Sequence, residues 1–125
     1  MSDNTNKFGY VEIPILTKDS ISLLLSLADE NKICEAIISA CKFIEDYEFV
    51  LDILRKYGFT NNRNIQLNIL SGLALVTYNH EKIDKDLALN ILNFSLSTKD
   101  ELINNFAIEV KEEIEHYAKL YNFPI

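Results

Sequence analysis

The sequence predicts an all-α fold of five to six antiparallel helices, built either as a short HEAT/armadillo-like α-solenoid or as an irregular helical bundle. Three observations carry this. Gly and Pro are scarce, three and two among 125 residues, which disfavours turn-rich sandwiches and barrels. Apolar residues recur at helical spacing from about residue 20 to 121. Polar breaks rich in Asp, Asn and Thr separate the periodic segments, and these residues cap helices.

Residues 1–16 read as an extended N-terminal arm, because Tyr10 to Leu16 alternate weakly and include Pro14. Residues 17–125 form a single all-helical domain. Thr17 or Asp19 caps a first helix running through Glu30, with Ile21, Leu24, Leu25 and Ala28 at helical spacing. The second helix, about 31–44, carries a stripe of Ile33, Ala36, Ile37, Ala40, Cys41 and Ile44. The third, about 46–57, turns Phe49, Val50, Ile53 and Tyr57 inward and stops at Gly58, where a left-handed cap residue belongs.

Thr60, Asn61 and Asn62 supply caps for a fourth helix, about 62–78, which is apolar on most of its circumference. A helix of that kind must be covered on several sides, so it is expected to be central. Gly72 lies on its apolar face, where alanine would be favoured by up to about 1 kcal/mol. Its presence predicts that another helix approaches closely there. A fifth helix opens at Asp84 or Lys85 and runs to about Leu96.

Thr98 and Glu101 have the spacing of a capping box for the last helix. Its stripe is Leu102, Phe106, Val110, Ile114, Tyr117 and Tyr121, flanked by Ile103, Ala107 and Ala118. The opposite arc carries Glu109, Lys111, Glu112, Glu115 and Lys119. Phe123-Pro124-Ile125 ends that helix and is placed to fold back onto the core. A weak repeat links the segments. Ile33, Ile37 and Cys41 align with Ile65, Ile69 and Leu73 at an offset of 32, and Ile65, Ile69, Leu73 and Thr77 align with Leu102, Phe106, Val110 and Ile114 at an offset of 37. Recurrence every 32 to 37 residues or so is what stacked helix pairs would give.

A net charge of −7 and a pI of about 4.7 oppose binding to nucleic-acid phosphates and favour a basic partner. The first 17 residues lack the pattern of a secretory signal. The longest uncharged run, Asn64 to His80, is too short and too polar to span a bilayer. Cys34 and Cys41 on one helix would stand about 10 Å apart, beyond the roughly 7 Å that a disulfide allows. A cytoplasmic protein, with no membrane partner, is the expectation.

Chemical motifs are wanting. Gly-x-Ser-x-Gly, a Gly-rich phosphate loop and Cys-x-x-Cys are all absent. Glu113-Ile114-Glu115-His116 matches one copy of the Glu-x-x-His pattern that di-iron bundles use twice. A single copy in a Glu-rich helix predicts a solvated face, so neither a metal nor another cofactor is expected, and no enzyme.

The acids are unevenly placed. Asp29, Glu30, Glu35, Glu45, Asp46, Glu48 and Asp52 stand against Lys32 and Lys42 alone between Ala28 and Asp52. Glu45, Glu48 and Asp52 fall within about 60° of one another on the third helix. Glu109, Glu112 and Glu113 make a second stripe on the last. Either set is a candidate docking surface for a basic protein, whose association it would steer.

An acidic, all-helical chain of this length, with a repeat-like pattern between Asn62 and Tyr117, resembles the all-helical immunity proteins of bacterial contact-dependent and polymorphic toxin systems. The resemblance spans about residues 20–121 and implies neutralisation of a cognate toxin domain, often a nuclease, by direct binding. Nucleases hold phosphates on basic surfaces, so an acidic inhibitor suits them. A helical adaptor, a regulatory scaffold or a phage-encoded inhibitor of another pathway is the alternative expectation.

Overall fold

The computed structural model describes Ile13 and residues 15–125; most of the expected extended arm lies outside the described residues. Six helices follow one another: α1 (Lys18–Ser26), α2 (Glu30–Phe43), α3 (Tyr47–Tyr57), α4 (Arg63–His80), α5 (Lys85–Ser97) and α6 (Glu101–Tyr121). Among the described residues there is no strand. The fold is an all-α helical bundle.

Each helix begins where a short polar side chain accepts a backbone N–H that has no partner within the helix. Thr17, Asp29, Asp46, Asn62, Asp84 and Asp100 do this in turn. The caps also explain where the sequence reading misplaced boundaries. α1 stops at Ser26, short of Glu30, because Asp29 starts α2 and Ala28 turns the chain with a left-handed φ of 54°. Thr98 and Glu101 form no capping box. Asp100 caps α6 through Leu102 N and Ile103 N, while Thr98 closes α5 and donates its hydroxyl to the Ser95 carbonyl.

Gly58 caps α3 without the expected left-handed turn; its φ is −66°. Crowding explains the glycine. A Cβ there would lie 2.5 Å from the Leu54 carbonyl oxygen and 2.8 Å from the Ile91 side chain. α4 runs past the expected Tyr78 to His80, where Glu81 takes a left-handed conformation.

α2, α4 and α6 form a parallel row. At the start of α2, Glu30 accepts hydrogen bonds from Asn62 and Asn64 at the start of α4 (2.5 and 2.7 Å). At the far end, the Asn79 amide donates to the carbonyls of Cys41 and Lys42. Arg63 pairs with Asp100 at the start of α6 (2.8 Å), and Tyr78 meets Tyr117 beyond them, ring centres 5.6 Å apart. With the row parallel, α3 and α5 must carry the chain back between its members.

α4 packs against α2, α3, α5 and α6, the central place its apolar circumference demands. The repeated positions Ile33, Ile37 and Cys41 on α2 and Ile65, Ile69 and Leu73 on α4 are all buried. α2 and α4 approach closely at Gly72, where a Cβ would lie 2.7 Å from Cys41 Sγ. α1 covers α2, and Phe123 and Ile125 return onto the core. No helix among the described residues is long and apolar enough to cross a membrane.

α6 is turned slightly from its expected stripe. Wedged against both α4 and α5, it buries Ile103, Ala107, Val110, Ile114 and Ala118, and Leu102 is left 51% exposed. That rotation brings its apolar and acidic residues together at the surface.

Candidate functional site

Two helices of the row leave an open apolar groove between them, with a volume of about 490 Å³. α4 contributes Ser71, Ala74, Leu75 and Tyr78, spaced to lie on one face. α6 contributes Phe106, Val110, Glu113 and Tyr117, again one face. Ile38 of α2 and Ile13, ahead of α1, complete the lining. Glu113 is the one carboxylate in that lining, and the Tyr117 hydroxyl donates to its Oε1 at 3.3 Å. Partial desolvation and then the Glu113 charge hold the Tyr117 hydroxyl above the usual phenol range. Tyr117 also sits against Tyr78, Tyr121 and His116, making an aromatic border.

Beside the groove runs a line of exposed residues on α6. Leu102, Glu109, Glu113 and Leu120 fall within about 40° of one another around the helix and span about 27 Å along it. Leu102 and Leu120 are 51% and 61% exposed, and Glu109, Glu112 and Glu113 are exposed as well. Among the described residues no ion pair engages those three carboxylates. Their field is therefore uncompensated at short range.

The stripe expected on the third helix is different. Glu45 precedes α3, in the connection from α2, so the three acids do not share one helical face. Arg55 reaches Asp52 at 2.7 Å and Glu48 at 3.7 Å, which neutralises part of their charge. Glu45 borders a smaller pocket with Asn79 and His80, next to Tyr47, whose ring lies 5.2 Å from His80 and under the Lys82 ammonium. Asp46 is engaged too. Its hydrogen bond from Lys18 holds its carboxyl below the usual range.

The chain matches no family model, no curated protein and no solved structure. What the site can do rests on its own chemistry.

Among the described residues, no three His, Cys, Asp or Glu side chains are grouped to hold a metal ion. Cys34 and Cys41 are both free. Burial pushes both thiols up, and the Glu30 charge adds to the shift at Cys34, so neither is a ready nucleophile. An apolar groove bordered by tyrosines and flanked by carboxylates outside any ion pair brings contact area and negative charge together. Sequence reasoning named Glu113 but missed Leu75, Tyr78, Phe106 and Tyr117 as surface-lining residues. The signal was an apolar arc on two neighbouring helices wider than burial requires.

Proposed function

We propose that this chain is an acidic binding protein that engages a basic protein partner, and that the partner is a toxin domain, a nuclease above all, which the binding neutralises. The observation that carries it is the line from Leu102 to Leu120, where Glu109 and Glu113, outside any ion pair among the described residues, stand between exposed leucines beside an apolar groove. Apolar contact supplies affinity there, and the carboxylates supply rate and choice of partner. A nuclease held by this face would have its phosphate-binding cations covered by carboxylates. Glu45, Glu48 and Asp52 form a secondary surface, weakened by Arg55.

The test begins with a native pull-down and continues with association rates for the captured protein. Glu109→Lys/Glu112→Lys/Glu113→Lys should slow association by about tenfold or more, within the range that electrostatic steering supplies. Wild-type association should slow as salt rises, because the Debye length shortens. Glu45→Lys/Glu48→Lys/Asp52→Lys should have the smaller effect. An acidic partner, or wild-type rates for the α6 variant, would overturn the proposal.

A further inference from the structure

We propose that the groove between α4 and α6 is the seat of this chain's own N-terminal segment, Phe8–Glu12. Two observations converge on that occupant. Ile13 already lines the groove, so the residues immediately before it continue the chain from inside the site. The stretch 2–7, Ser-Asp-Asn-Thr-Asn-Lys, has no apolar side chain, whereas Phe8, Tyr10 and Val11 cluster within a few residues of Ile13.

Size and chemistry agree. The α6 side of the groove, from Phe106 to Tyr117, extends about 16 Å. Five residues of extended chain cover about 17 Å. Ala74, Leu75, Phe106 and Val110 offer an apolar floor, and Tyr78 and Tyr117 offer rings against which Phe8 and Tyr10 could pack. Glu113 and Ser71 are the polar groups within reach for the backbone N–H groups of an extended segment.

The experiment is nuclear magnetic resonance on the full, isotope-labelled chain. Ring protons of Phe8 and Tyr10 should show Overhauser contacts to the methyl groups of Ala74, Leu75 and Val110. Backbone order parameters for residues 8–12 should approach about 0.85, the value of rigid backbone. Phe8→Ser with Tyr10→Ser should abolish those contacts and raise binding of anilinonaphthalene sulfonate several-fold, while the helical circular dichroism stays unchanged. Missing contacts together with order parameters below about 0.6 would overturn the proposal. So would contacts that appear only between differently labelled chains in a mixed sample, since these would seat a second copy's segment in the groove.

Discussion

Gly72→Ala sets two effects of opposite sign against each other at one atom. Inside a helix alanine is favoured over glycine by about 1 kcal/mol. Against this, the added Cβ would lie 2.7 Å from Cys41 Sγ, with Cys41 Cβ and Ile37 Cγ2 at 3.5 Å. Cys41 is fully buried, and its sulfur has a single torsion through which to escape. Overpacking a tight core costs about 1–3 kcal/mol, so the net change is a loss of roughly 0–2 kcal/mol. Removing the sulfur reverses the sign. In a Cys41→Ala background the contacts left are the carbons at 3.5 Å, ordinary van der Waals neighbours, and Gly72→Ala should stabilise by up to about 1 kcal/mol. The double-mutant cycle cancels the cost of Cys41→Ala itself and leaves a coupling of about 1–3 kcal/mol. Urea unfolding followed by helical circular dichroism measures all four corners. If Gly72→Ala acts alike in both backgrounds, within about 0.3 kcal/mol, α2 and α4 do not meet at this point.

Gly58→Ala should destabilise by about 1–3 kcal/mol through collision with the Leu54 carbonyl and Ile91; a neutral result in the same unfolding assay would remove the steric explanation. Gln66 is buried and donates to Ser95 Oγ at 2.6 Å, while its Oε1 lacks a partner. Ser95→Ala alone should therefore cost about 1–3 kcal/mol, and Gln66→Met with Ser95→Ala should return close to wild type; additive losses would contradict this. Hydrogen bonds from Asn64 and Asn62 lower the Glu30 carboxyl from the usual 4.5. A depressed folded-state value means that the stabilisation is complete above about pH 4.5 and is lost as pH falls through the lowered value. The deficit of Glu30→Gln relative to wild type should accordingly shrink below that pH, and a constant deficit across the acid range would show that ionisation plays no part.

Helix number, the central place of α4 and the close approach at Gly72 were legible in the sequence because each follows from apolar spacing along one chain. Boundaries were less so. Thr98 and Asp100 both offer oxygens to the same turn, and their order was settled by Thr98 bonding back to Ser95 and Asp100 pairing with Arg63. Gly58 read as a chiral cap because its crowding comes partly from Ile91, which is distant in sequence. The weakened charge on α3 was within reach: Arg55 stands one helical turn beyond Asp52 and two beyond Glu48. The groove was not, since it depends on how far α6 rotates against α4 and α5.

The groove and the acidic line are two consequences of one packing choice. α4 is apolar nearly all round, yet its neighbours leave Ala74, Leu75 and Tyr78 partly open; α6 turns Phe106 and Tyr117 toward the same gap. Apolar surface shared by two adjacent helices is stabilised by whatever covers it, and any ligand that binds only the folded state adds to stability by mass action. A tethered segment has the advantage of effective concentration, in the millimolar range for short flexible links. With the segment seated as proposed, a partner that used the groove floor would have to displace it, whereas a partner confined to Leu102, Glu109, Glu113 and Leu120 would not. Phe8→Ser with Tyr10→Ser separates the two. Tighter partner binding by this variant, mainly through a faster association rate, is expected if the groove is shared. An unchanged affinity, measured by calorimetry on the full chain, would restrict the partner to the outer line of α6 and leave the groove to the segment alone.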